Sequence, residues 1–219
     1  MPYSVLRDKK NQLIRKARDL SVFIAPESAD PITALTTGAT ADLATLPTGY
    51  GDIGFTSTDG VGVTRETESS QVRSFGSTEP TREDVTNDTV TLSVTAQETK
   101  LLTIGLYTGV DTTNLKAAFT TGELSIEKPN LPNPRYYRLL ALAVDESSDG
   151  EIYIAQVMPR ARITEFGEQT FGEGDDPISY PLTFTAFRDS ALGYSHRWIF
   201  GGPGWLALLA DMEITQATS

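Results

Sequence analysis

The sequence predicts a mainly β fold, a β-sandwich or split barrel with one flanking α-helix and an extended N-terminal arm. Three observations carry this. Thr89 to Ala96 alternates strictly, with Val90, Leu92, Val94 and Ala96 on one face and Thr89, Thr91, Ser93 and Thr95 on the other. A period of two with β-branched residues marks a strand. Tyr136 to Val144 is apolar apart from Arg138, as expected of a strand buried on both faces. Finally, a single strong helical pattern stands among seven or more β segments, the balance of a sandwich or barrel.

In chain order, residues 1–25 divide in two. Leu6, Leu13, Ile14, Ala17 and Leu20 recur at helical spacing among basic residues, which suits a short amphipathic helix or an ordered arm. Val22-Phe23-Ile24 is a short apolar run stopped by Pro26. Residues 26–50 are rich in Ala, Thr, Gly and Pro and read as an extended linker. Residues 1–50 are therefore expected to be arm and linker, and 51–219 the β domain with a C-terminal extension. A first β segment runs from Gly51 to Phe55, and Asp59-Gly60 signals a tight turn. A second runs from Val61 to about Phe75, with Thr64, Glu66 and Glu68 on its polar parity. Gly76 to Asp88 reads as a charged loop holding Glu79, Arg82, Glu83, Asp84 and Asp88.

The helix is predicted over 97–107, QETKLLTIGLY, with Glu98 in its first turn and Gly109 as its stop. Asn114 to Phe119 suggests a further helical turn and Glu123 to Lys128 a short strand, before the proline-rich loop PNLPNP at 129–134. Asp145 to Gly150 is a turn that makes a hairpin of Tyr136–Val144 and Glu151–Met158, and Arg160 to Phe166 extends the second strand. GEGDDP at 172–177 is a loop, Tyr180 to Phe187 a strand. Trp198–Phe200 and Trp205–Met212 are expected to pair across Gly201-Gly202-Pro203-Gly204.

Composition bounds function. The chain of 219 residues is 39% hydrophobic and 21% charged, and it has no cysteine, which excludes disulfides, thiolate catalysis and cysteine metal sites. No run approaches the roughly 18 apolar residues of a membrane span, and no apolar segment follows the start as a secretory signal requires. Synthesis in a cytoplasm is the expectation. The net charge of −11 is uneven: residues 1–18 carry +5, from Arg7, Lys9, Lys10, Arg15, Lys16 and Arg18 against Asp8, and the remainder carries −16. An acidic body does not bind nucleic acid by neutralising phosphate. The basic arm suits docking on an acidic neighbouring subunit better than a membrane surface, because its apolar face is thin.

No motif assembles an active site. Thr48-Gly49-Tyr50-Gly51-Asp52 echoes a potassium-channel filter without membrane helices to carry it. Asp145-Glu146-Ser147-Ser148-Asp149-Gly150 begins like an EF-hand loop, but Gln156 stands where a bidentate Glu is needed. His196 is the sole histidine, so no multi-histidine metal site exists, and neither Ser190 nor Ser195 lies in a nucleophile elbow. Glu66 and Glu68 share a strand face roughly 7 Å apart with no sugar cleft to serve, and Gly201–Trp205 lacks the pattern of a phosphate loop.

The runs LPTGYGDIGFTSTDGV (46–61), EPTREDVTNDTVTL (79–92) and QETK (97–100) resemble the major tail tube protein of long-tailed, non-contractile bacteriophages. The resemblance extends to RKARDLSVFIAP (15–26) and DDPISYPLTFTAFRD (175–189), so it covers most of the chain. It implies a structural virion protein, not an enzyme, with no cofactor. In that family six subunits form a ring, each giving four strands to one closed barrel, and stacked rings make a tube through which DNA leaves the capsid. Further implied partners are tape-measure, tail-terminator and tail-tip proteins, with DNA passing transiently and no membrane. By the order of motifs, 61–75, 89–97, 151–166 and 179–188 form the inner sheet, with helix 97–107 and strand 135–145 outside it. Thr64, Glu66, Glu68, Thr89, Thr91, Ser93 and Thr95 are then expected to face the lumen, the 76–88 loop to touch the next ring, and the six arm cations to reach a neighbour. Two other readings compete: a tail-associated β-sandwich that binds glycans, and a type VI secretion tube-like protein.

Overall fold

A computed structural model describes residues 2–130, 134–174 and 177–217. The middle of the PNLPNP loop and two residues of GEGDDP lie outside these. The strands are β1 (Asp19–Pro26), β2 (Thr36–Thr37), β3 (Asp42–Leu43), β4 (Gly51–Asp52), β5 (Thr56–Val72), β6 (Arg82–Ala96), β7 (Tyr137–Ser147), β8 (Gly150–Phe166), β9 (Tyr180–Ala186) and β10 (Arg197–Gly201). The helices are α1 (Tyr3–Leu6), α2 (Leu101–Thr108) and α3 (Pro203–Ala207). The protein is mainly β, as its alternating segments predict.

One antiparallel sheet runs in the order β4-β1-β7-β8-β9-β6-β5, and β10 also pairs with β8. The sheet folds back on itself at β8. The first part of β8 pairs with β7 and β10, whereas Ala161 to Phe166 pairs with β9. Between the two parts the register against β7 slips by one residue, between Met158 and Ala161. Pro159 sits there, where a missing N–H costs no ladder bond. The expected inner strand 151–166 is therefore divided: only its C-terminal part joins the inner layer β8-β9-β6-β5. The first part belongs to the second layer, with β7.

The core lies between the layers. Val22 and Ile24 of β1 and Leu139 and Ala141 of β7 face Val90, Leu92 and Val94 of β6 and Leu182 and Phe184 of β9, all buried. The period-two pattern puts these side chains on one face. Helix α2 closes the end with Leu106, and its Tyr107 ring meets Tyr180 edge-on at 5.6 Å. A second cluster covers the outer face of β7 and β8. Ile32 and Leu35, from the stretch read as linker, are buried there against Leu140, Leu142 and Tyr153. Arg138 ties that stretch down, donating to the carbonyls of Ala29 (2.6 Å) and Pro159 (3.0 Å) and pairing with Asp189 at 3.4 Å.

Several local expectations change. Asp59-Gly60 is not the turn of a hairpin but a bulge inside β5, where three more residues lie on β5 than on β6 between the pairs Thr56–Ala96 and Val61–Val94. Gly60 supplies the positive φ (+73°) that this bulge needs. The charged loop shrinks, because β5 and β6 pair as far as Val72–Arg82, leaving residues 73–81 as the turn. The helix starts at Leu101 rather than Gln97, since Lys100 is still extended. Glu98 precedes it and accepts the Phe55 N–H at 2.8 Å instead of serving the helix dipole. Gly109, at φ +69°, ends the helix as expected. Asn114–Phe119 and Glu123–Lys128 form neither helix nor strand. After β10 the chain enters α3 rather than a second hairpin strand, because Pro203 sits at the first helical turn, where its missing N–H is free of cost.

Candidate functional site

The two faces of β5 and β6 are chemically different because each strand alternates. Thr64 pairs with Thr91, Glu66 with Thr89 and Glu68 with Asn87, so these side chains share one face. Ser93 opposes Gly62, and Thr95 opposes Pro181 on the same side. All seven residues expected on a polar face are thus brought together, with Val90, Leu92, Val94 and Ala96 on the opposite, buried face. Across β9 the polar surface continues through Thr183 and Thr185, opposite Ser93 and Thr91. On β8 it reaches Arg162 and Glu165, partners of Thr185 and Thr183. The Thr164 and Thr185 hydroxyls meet at 2.7 Å.

Sequence reasoning missed the β8 and β9 members. The signal for β9 is present, since Tyr180, Leu182, Phe184 and Ala186 alternate with Pro181, Thr183 and Thr185. For β8 it is obscured by register shifts between Met158 and Ala161 and between Ile163 and Glu165, which break the simple parity.

Beyond Arg65 and Val90 the hairpin leaves the body, and Glu66 to Asp88 are exposed throughout. Glu79 lies in the turn, while Arg82, Glu83, Asp84 and Asp88 lie on β6. A second shift, between Glu68 and Ser69, leaves Thr86 unpaired, and its hydroxyl donates to the Glu68 carbonyl at 3.1 Å. Arg82 and Asp84 form an ion pair at 2.7 Å. Asp88 points the other way from Glu68 and accepts both Arg65 donors, at 2.8 and 2.6 Å. That fork holds the Asp88 carboxyl below its ordinary range.

The basic arm is partly anchored within its own chain. Arg15 lies 4.0 Å from Asp145, the Lys16 N–H donates to Asp145 at 3.3 Å, and Arg18 pairs with Glu146. Lys10 donates to the Asp211 carbonyl at 2.8 Å. Arg7 and Lys9 are exposed. Asp145 and Glu146, at the end of β7, thus receive the arm, and Asp149 lies in the turn that follows. Among the described residues no cluster of three or more His, Cys, Asp or Glu suits a metal ion, and no helix is long and apolar enough to cross a membrane. His196 packs edge-on against Trp198, with ring centres 4.2 Å apart, and both its nitrogens are buried without a partner among the described residues. Burial, then the Arg65 charge, holds its pKa below the usual histidine value.

The sequence model of the family described as phage tail tube protein matches residues 9–202. No curated protein matches the chain.

Proposed function

The chain belongs to the phage tail tube protein family and has a structural role in a phage tail; we propose that it forms hexameric rings that stack into the conduit for DNA ejection, in a long-tailed, non-contractile phage. The observation that carries this reading is the polar inner layer. Its strands alternate in direction, β5 against β6, β6 against β9 and β9 against β8. With four strands, the two outer ones run opposite ways. Copies related by rotation about a tube axis can then join β5 of one to β8 of the next, antiparallel all the way round. Closure removes the two exposed edges that each isolated layer carries.

A barrel of that size encloses a wet lumen, which calls for a polar lining. The hydroxyl and carboxylate face of Thr64, Glu66, Glu68, Thr89, Thr91, Ser93 and Thr95 supplies it. The projecting hairpin, with Glu79, Arg82, Glu83 and Asp84, contacts the adjacent ring, since a lone two-stranded ribbon is marginal in water without a surface to lie on. Lys10, Arg15, Lys16 and Arg18 anchor the arm on its own chain, while Arg7 and Lys9 carry its charge to a neighbouring subunit. The tube meets tape-measure, tail-terminator and tail-tip proteins at its bore and ends.

Electron micrographs of purified protein test the proposal. Rings or tubes with a central bore are expected. Monomers that bind polysaccharide would instead place the protein among glycan-binding sandwiches.

A further inference from the structure

We propose that Phe55 is a knob that enters a basic-rimmed apolar cavity on the next copy of the chain, locking the ring at one end of the shared sheet. This rests on the ring reading above and names the contact that closes it. Phe55 is 79% exposed, yet its backbone is fixed on both sides. Its N–H donates to Glu98 at 2.8 Å, and its carbonyl accepts the Gln97 N–H at 2.9 Å. Gly54, at φ +88°, lets the chain pass so close to Glu98 that a Cβ there would lie 2.2 Å from the carboxyl carbon. A large apolar ring held rigidly in water has already lost the backbone freedom that binding would cost.

The cavity, of about 480 Å³, lies at the opposite edge of the inner layer. Leu106, Tyr137, Ile163 and Phe166 form its apolar lining. Here β8 beyond Ala161 pairs with β9 on one side and has no strand on the other among the described residues. Phe55 precedes Thr56, which pairs with Ala96, itself opposite Tyr180. Phe166 pairs with Leu182, two residues further along β9. Knob and cavity therefore stand at the same end of the sheet, on its two free edges. A heterologous contact between them propagates from copy to copy and closes under rotation.

Charge supports the pairing. The hollow beside Phe55 is lined by Asp19, Asp52, Asp59 and Glu98 against Arg18 and Lys100. Lys100 is held by Glu98 at 2.7 Å and Arg18 by Glu146, which leaves the aspartates in excess. Among the described residues the cavity lining holds Lys128, Arg135 and Arg162 and no carboxylate; Arg135 pairs with Asp111 at 3.1 Å and the Arg162 guanidinium lies over the Phe187 ring at 5.1 Å, which leaves the Lys128 charge in excess. An acidic collar around an apolar knob meets a basic collar around an apolar hole. Complementary charge of this kind steers the encounter and fixes its register.

The chain has no cysteine, so engineered thiols report cleanly. The full chain carrying Thr58→Cys and Thr108→Cys, both at exposed positions and leaving Phe55 in place, is treated with a bismaleimide while it and the wild-type protein are imaged in parallel. The expected result is a cross-linked ladder that stops at the closed ring, with each single variant giving nothing beyond a dimer. Rings or tubes in the micrographs with no ladder would overturn the knob and leave the ring reading intact. A ladder without rings or tubes would support the contact and refute the stacked assembly, and the absence of both would overturn both. Phe55→Ala gives a second reading. Because an aromatic side chain returns to water, the protein concentration needed for rings should rise about tenfold or more; an unchanged threshold counts against the knob.

Discussion

Arg138 is the one charged residue in the apolar run of β7, and it joins three parts of the chain. Its guanidinium is largely buried and reaches the carbonyls of Glu27, Ala29 and Pro159 and the Asp189 carboxylate. Removing one partner of a buried pair strands the other, so Arg138→Ala should cost about 3 kcal/mol, read as a fall in the urea midpoint. Burial pushes the Asp189 carboxyl up, but the Leu192 and Ala191 N–H groups and Arg138 outweigh it and hold the carboxyl below its usual value. The sign follows from linkage. A depressed carboxyl stabilises the fold above its ordinary pKa of about 4 and loses that contribution as pH falls through the folded value. Asp189→Asn should therefore be less stable than wild type at pH 7, with the gap narrowing toward pH 3. A gap that stays constant with pH would remove the charge from the explanation. If the polar face lines the proposed conduit, Glu66 and Glu68 would repel the phosphates of DNA passing it over roughly 8–10 Å at physiological salt. Glu66→Lys with Glu68→Lys should still allow tubes but slow or block genome release from virions. Normal release kinetics would acquit these glutamates, and loss of tubes would place them at a subunit contact.

Among the elements, the β5–β6 hairpin departs furthest from its sequence reading. Residues 76–88 are charged and nearly devoid of apolar side chains, so pattern alone makes them a loop. Strand pairing persists because the ribbon satisfies its own backbone, whichever side chains it carries. Replacing residues 70–84 by Asn-Gly keeps the body of both strands and removes the projection. The expected product is rings that no longer stack, seen as short discs in micrographs; tubes of normal length would contradict the contact. Strand β6 was legible because its two faces differ in polarity, and β7 because both its faces are buried. The bend of β8 was not, since Pro159 in an apolar run reads equally as a break or a bulge. Helix α2 was placed correctly but begun too early, because Glu98 suits a first helical turn as well as it suits the N–H of Phe55. The burial of Ile32 and Leu35 left no trace in a stretch without periodicity. Two isolated apolar residues among Thr, Gly and Ala look the same whether or not a sheet lies beneath them.

At the scale of the whole molecule, one continuous sheet folded at β8 makes two layers with unlike duties. The outer layer, β1, β7 and the first part of β8, is buried on both faces and gives the subunit its core. The layer β8-β9-β6-β5 is buried on one face only and, among the described residues, ends in two free edges, the form that the proposed ring requires. The division of charge fits the same logic. The body bears −16, and the +5 arm is half tied to its own hairpin turn, leaving Arg7 and Lys9 exposed. A conduit requires the polar face to line an enclosed bore, and thiol accessibility in assembled tubes tests that most directly. Thr89→Cys lies on the polar face and Ser148→Cys on the exposed β7–β8 turn. In tubes, a small maleimide should label both, whereas a bulky polymer-linked maleimide should label Ser148→Cys and spare Thr89→Cys; dissociated subunits should take both reagents at both positions. Equal labelling of Thr89→Cys by the bulky reagent in intact tubes would show that this face looks outward and would contradict the account.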